Sequence, residues 1–179
     1  MKKILKLTFI LCVVCAVTAG ILGVVNELTY ERIAEQNRIK TENAYKQVLV
    51  SEGYEDIGFD ADGTIVDKIS RATGGEGYVV ELTFSGAQGS ITLAVGVDTE
   101  LRCTGISVIS HAETSGLGAV AASSSETGAN WRAQFVGQGA DVAITKAGGT
   151  IEAISGATIT SRAIAEATAV AISTVADLG

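Results

Sequence analysis

The chain has 179 residues, 47% of them hydrophobic, with 21 Gly, no Pro and a net charge of −7. That length suits one compact domain carrying a short appendage. Lys2, Lys3 and Lys6 precede the first apolar run, which leaves 10 basic against 20 acidic residues in the remainder. A chain of that sign lacks the basic face that releases counterions from phosphate, so nucleic acid is excluded as a partner.

Residues 7–26 carry no charge. As a helix this run spans about 30 Å, the hydrocarbon thickness of a bilayer. Three lysines precede it and Glu27 and Glu31 follow it. The positive-inside rule then puts the N-terminus in the cytoplasm and the bulk of the chain outside, with residues 1–26 as tail and anchor. A cleaved signal peptide is the rival reading. The apolar run continues past the small-residue site at Ala19 through Ile21, Leu22, Val24 and Val25, longer than the h-region of a signal peptide, so an uncleaved single-pass anchor is expected. Cys12 and Cys15 stand three apart within it and read as packing residues. Cys103 is the one cysteine outside it, so the exported domain has no internal disulfide and must hold by its core.

Residues 27–50 are polar with scattered apolar positions and read as a helix leaving the membrane. Residues 51–179 then form the exported domain. Glycines punctuate its start, and short β-type runs follow at 78–84, 90–97 and 101–109, joined by SGAQG and DTE turns. Connections that short leave no room for crossover helices, so the sheet is antiparallel. Asp60, Asp62 and Asp67 read as a solvated loop, since their alternation lacks the full calcium-loop pattern. Residues 123–137 suit a short helix with Trp131 and Phe135 on one face. Strands are expected at 141–145 and 149–154. From Ser161 the apolar positions Ile164, Ala167, Ala171, Val175 and Leu178 recur at helical spacing, after Thr and Ser residues suited to capping. The fold class is therefore α+β: one N-terminal transmembrane helix, then a domain with an antiparallel sheet and packed helices.

The chemistry gathers where the last strand candidate meets the last helix, at Ser155, Gly156, Ala157 and Thr158. Small residues there let the backbone approach a ligand, and a helix N-terminus offers unpaired N–H groups and a positive dipole end to a phosphate. The plainer reading of these hydroxyls is helix capping.

Ser155-Gly156-Ala157-Thr158 followed by Thr160-Ser161-Arg162 resembles the flavinylation motif of the FMN-binding domain family. That family includes the G subunit of the Rnf-type ion-translocating electron-transport complex and the C subunit of the sodium-translocating NADH:quinone reductase. A second segment, His111-Ala112-Glu113-Thr114-Ser115-Gly116-Leu117-Gly118, resembles the family's H-x-E-T-P-G-L-G loop, with Ser115 at the usual proline. Trp131-Arg132-Ala133-Gln134-Phe135 resembles the W-x-x-Q-F helix that follows it. Glu152 stands where the family usually has aspartate. The resemblance implies FMN esterified through its phosphate to Thr158 by a flavin transferase, with Ser155, Gly156, Ala157, Glu113, Thr114, Gly116, Leu117 and Gly118 around it. It further implies an electron-transfer subunit of a membrane-bound ferredoxin:NAD oxidoreductase, partnered by the other membrane subunits and not catalytic alone. The quinone reductase counterpart and a free-standing flavinylated carrier are the related alternatives. A cofactor-free tethered binding module is the alternative of another class.

No catalytic constellation is expected, because His111 is the only histidine. No metal site is expected either, as no Cys or carboxylate stands at ligand spacing from it. Trp131 reads as a core anchor, and Glu113 as a carboxylate able to accept a flavin ring N–H or a backbone donor. The chain has no G-x-G-x-x-G fingerprint and no cysteine framework for a cluster.

Overall fold

The computed structural model describes residues 2–58 and 64–178. Helix α1 runs Lys2–Val48. Strands β1 (Tyr54–Ile57), β2 (Val66–Ala72), β3 (Gly77–Ser85), β4 (Ser90–Asp98) and β5 (Cys103–His111) follow, then α2 (Glu126–Ala133) and α3 (Thr158–Ala176). The chain divides into two units, residues 1–40 and the domain from Thr41 onward.

The first unit is helical and its apolar side chains point outward, among them Leu7, Phe9, Leu11 and Leu22. It supplies the one helix among the described residues that is long and apolar enough to cross a membrane. Its hydroxyls are satisfied locally. Thr8 and Thr18 donate to the carbonyls of Ile4 and Val14 one turn back, which removes the cost of bare polar groups in hydrocarbon. Cys12 and Cys15 are both exposed on this helix.

In the second unit the five strands pair in chain order, every pair antiparallel. The alternation in β4 explains both faces of the sheet. Ile91, Leu93, Val95 and Val97 point to one side and join Val80, Leu82 and Ile106 under α3. Helix α3 answers with Ile164, Ala167, Ala171, Ile172 and Val175, all buried. Thr92, Ala94 and Gly96 point to the other side, where the last turns of α1 lie through Ala44, Tyr45 and Val48. There Thr104 donates its hydroxyl to the Val48 carbonyl, Ser107 donates to Gln47 Oε1 at 3.0 Å, and the Tyr45 hydroxyl donates to Glu81 Oε2 at 3.2 Å. Burial, the larger effect, pushes Glu81 above the ordinary carboxylate range despite that bond.

Several sequence expectations change. β1 and β2 carry no strong apolar run and are stabilised by pairing, β2 with β3 and β1 with β2, so the sheet includes two strands that the sequence does not announce. Asp67 lies exposed within β2 rather than in a loop, and Asp60 and Asp62 fall outside the described residues. Residues 141–145 and 149–154 are not strands. Only Ile144 and Ile151 bridge, because Thr145–Ala147 winds into a 3-10 turn ended by Gly148 at φ +88. The isoleucines are buried anyway, which is why the segments look strand-like. The helix expected over 123–137 is shorter, capped by Ser125 and preceded by a 3-10 turn at Gly118–Ala122. Helix α3 begins three residues earlier than expected, at Thr158, and Leu178 lies beyond its end, 41% exposed.

Cys103 is buried, and burial pushes its thiol pKa up to about 12. It is a core residue with no thiolate available for redox chemistry.

Gly96 leaves the space into which the Val48 carbonyl at the end of α1 fits. A methyl there would strike the Val48 carbonyl oxygen and Thr104 Oγ1. Gly96→Ala is expected to lower stability by about 2–3 kcal/mol through overpacking, read as an earlier denaturant midpoint in Trp131 fluorescence. An unchanged midpoint contradicts this packing.

Candidate functional site

The two segments picked out by sequence, distant along the chain, meet in space at the N-terminus of α3. The chain arrives there from residues 150–152, which α2 holds in place. Trp131 Nε1 donates to the Glu152 carbonyl at 2.8 Å, and the Glu152 N–H donates to Gln134 Oε1 at 2.8 Å. One helix thus satisfies both backbone groups of a residue that has no strand partner. Trp131 and Phe135 pack edge to face, centroids 5.1 Å apart, and both are buried. Trp131 is therefore the core anchor expected of it.

The chain next turns at Ser155 and Gly156, closed by the Ala157 N–H on the Ile154 carbonyl at 2.9 Å. Gly156 has φ +77, and a side chain there would meet Leu117 Cδ2 at 3.0 Å. Glycine is needed on both counts. Ala157 is the N-cap and makes no side-chain cap bond, so the hydroxyls of this motif are not N-caps.

Where those hydroxyls go decides what the motif can do. Ser161 is fully buried; its Oγ accepts from the Ile154 N–H at 3.0 Å and donates to the Ala157 carbonyl at 3.0 Å. Thr160 is 1% exposed and donates to Glu113 Oε2 at 2.8 Å. Thr158 is half-buried and Ser155 exposed, and neither side chain has a hydrogen-bond partner among the described residues. Thr158 is also the first residue of α3. The N–H groups of Thr158, Ile159 and Thr160 have no acceptor within the helix, while that of Ser161 returns to Ala157 at 2.9 Å. Arg162, exposed and unpaired among the described residues, follows Thr158 by one turn.

Glu113 ties the second segment to this helix. Its Oε1 accepts from the Gln88 N–H at 3.1 Å, in the β3–β4 turn, while Oε2 holds Thr160. Gly118 and Gly86 leave the space its carboxylate fills. Burial pushes the Glu113 carboxyl up, but the hydrogen bonds from Gln88, Thr160, Ala87 and Gly89 together outweigh it and hold the group below the ordinary range. His111 accepts the Glu113 N–H on Nδ1 at 3.2 Å. Thr114 and Gly116 lie in the turn between, Gly116 exposed and at φ +80. No group of three or more candidate metal ligands is present among the described residues.

Leu117 (45% exposed) and Ile159 (66%) flank Thr158 as large apolar side chains open to solvent. The crevice between Glu113, His111, Gly118 and Ile164 has no room even for a water-sized group, so it is not a ligand slot. Ile159, Thr160, Gln88 and Gln134 are the contributors that sequence reasoning left unassigned. Only the helical start at Thr158, which puts Thr160 on the inner face and Ile159 outward, distinguishes them.

Residues 86–173, which contain both segments, match the FMN-binding domain, and residues 1–48 match the RnfG N-terminal region. The G subunit of the ion-translocating oxidoreductase complex of Methanosarcina acetivorans is 34% identical over 93% of this chain and 91% of its own. The chain belongs to the RnfG family. Another similar member is the G subunit of the Na⁺-translocating ferredoxin:NAD⁺ oxidoreductase complex of Acetobacterium woodii, at 29% identity over 91% of this chain and 87% of its own. The proton-translocating counterpart of Clostridium ljungdahlii is 30% identical over 91% and 86%. Relatives of nearly equal similarity thus carry names with different coupling ions.

Because the Glu113 carboxyl is held below its ordinary value of 4.5, its bonds to Thr160 and Gln88 stabilise the fold fully above that pH and are lost as pH falls through the depressed value. Wild type is expected to melt above Glu113→Gln at pH 7, with the gap closing below about pH 4. A gap independent of pH contradicts an ionised clamp.

Proposed function

We propose that this RnfG-family chain bears FMN as a phosphoester on Thr158 and passes electrons within a membrane-bound ferredoxin:NAD oxidoreductase complex of the Rnf type. The carrying observation is the Thr158 hydroxyl: it is accessible, unpartnered and placed at the first residue of a long helix, while the neighbouring Thr160 and Ser161 hydroxyls are buried and bonded. The family match to an FMN-binding domain over 86–173 supports the same reading.

The residues present suit an attached flavin phosphate. The free N–H groups at the start of α3 and the positive end of its dipole face the negative charge, and Arg162 adds a cation on the same helix face. Ser155, Gly156 and Ala157 bring the backbone close without a bulky side chain. Leu117 and Ile159 offer apolar surface to the ring, and the exposed turn through Thr114 and Gly116 offers backbone N–H groups at its edge. When bound, FMN supplies one- and two-electron chemistry; the protein binds and orients it. A covalent tether keeps the group at a high effective concentration beside its seat, which matters in a compartment where free flavin is diluted away. In this reading the ferredoxin and NAD chemistry belongs to the other members of the complex, and this chain carries electrons between them.

Attachment needs a flavin transferase reaching Thr158 across the exposed Ser155 and Gly156. By the positive-inside rule, the three lysines before residue 7 favour the extracytoplasmic side for that turn and for the domain holding it.

Thr158→Ala is expected to abolish flavin fluorescence on a denaturing gel while changing stability by less than about 0.5 kcal/mol, since the side chain has no partner to lose. Thr158→Ser retains part of the fluorescence. Protease applied outside spheroplasts strips the fluorescent domain. Fluorescence that survives in Thr158→Ala contradicts the attachment, and a domain sheltered from external protease contradicts the orientation.

A further inference from the structure

A second cleft opens at the other end of α3 from Thr158. Tyr78, Asp98, Thr99, Leu101, Val175 and Ala176 line it, and its volume is about 350 Å³. Leu101 is the one non-glycine residue with positive φ among the described residues, at +60. That region brings Cβ close to the following carbonyl, so glycine or asparagine is the usual occupant. The turn that holds it there is firmly tied: the Leu101 N–H donates to the Asp98 carbonyl at 3.2 Å, and Asp98 Oδ1 accepts from the N–H groups of Glu100 at 2.9 Å and Arg102 at 2.8 Å. The Leu101 side chain is still 38% exposed. The three-residue hairpin loop needs a left-handed residue at this place, but it does not need a leucine, and an apolar side chain held there in solvent points to a functional contact.

The charges around the cleft indicate what it contacts. Asp98 Oδ2 has no partner among the described residues. Helix α3 has no basic residue in its last turn, so the negative end of its dipole is uncompensated by its own side chains. Glu100 and Asp177 are exposed nearby in sequence. Of the two arginines in the region, Arg71 lies over the Tyr78 ring, 6.0 Å from its centroid, and Arg102 lies beside Gly139. The cleft therefore joins apolar walls to an acidic end.

We propose that this cleft seats a basic segment of a neighbouring subunit. An arginine or lysine lays its aliphatic stem on Leu101 and Val175 and brings its charged head to Asp98 Oδ2 and the last carbonyls of α3. Tyr78 closes one wall of the seat. The proposal rests on the assignment of the chain to a multisubunit complex. It makes the two ends of α3 functionally distinct, with the cofactor at the N-terminus and the partner at the C-terminus.

The test uses the complex purified from membranes through a tag on another of its subunits. Asp98→Asn removes the charge but keeps the oxygen that holds the turn, and Leu101→Gly removes the side chain and relieves the backbone. Both chains are expected to retain gel flavin fluorescence and an undiminished melting temperature, while their retention in the complex falls at least about tenfold for the double variant, as for a central interface residue. A photo-crosslinker at Thr99 is expected to capture a peptide of another subunit that contains Arg or Lys. Wild type that assembles, with variants that assemble equally, overturns the seat and leaves the electron-transfer reading standing. A crosslink from Thr99 to a second copy of this chain also overturns it, and wild type absent from the tagged complex overturns both readings.

Discussion

The bond from the Thr160 hydroxyl to the Glu113 carboxylate is the constraint on which the site depends. It joins the segment after β5 to the first turn of α3, and through Gln88 it draws in the β3–β4 turn as well. Three stretches far apart in sequence are thereby held at one point. The same bond consumes Thr160, and the Ile154–Ser161–Ala157 pair of bonds consumes Ser161. What remains is a helix start with its hydroxyls sorted: two committed inward to structure, and Thr158 left without a partner among the described residues.

The sheet makes this arrangement rigid. Its α3-facing side is a continuous apolar layer against which α3 is seated by Ile164, Ala171 and Val175, so the N-terminal turn of that helix has little freedom to shift. The opposite side is built from Thr92, Ala94 and Gly96, small enough for the last turns of α1 to approach. One strand thus serves two packing surfaces, and its alternation of large and small residues is the device that separates them. Helix α2 and its C-cap residue Gln134 add the third support by satisfying both backbone groups of Glu152, which fixes the path of the chain into the turn at Ser155 and Gly156.

Much of this was legible in the sequence, for identifiable reasons. The last three strands announced themselves through dense Val, Ile and Thr between short turns, and the apolar spacing of α3 named the residues that bury it. The first two did not, because β1 and β2 are strands by virtue of pairing rather than of composition. Residues 141–154 misled in the other direction: Ile144 and Ile151 are buried as strand residues are, but the glycine-ended turn between them prevents pairing beyond one bridge. At the site the motif residues were readable, whereas the sorting of their hydroxyls was not. It depends on α3 starting at Thr158 rather than Ser161, a three-residue difference that turns Thr160 inward, and boundaries of this kind are set by tertiary contacts such as Glu113.

The central claim is that the free hydroxyl at the start of α3 is the point of covalent attachment. Tandem mass spectrometry of the tryptic peptide spanning residues 147–162, taken from the chain matured in its own membrane, tests it directly. The account predicts an added FMN phosphoester localised by fragmentation to Thr158, with Ser155, Thr160 and Ser161 unmodified. An unmodified peptide, or the added mass on any of those three residues, contradicts it.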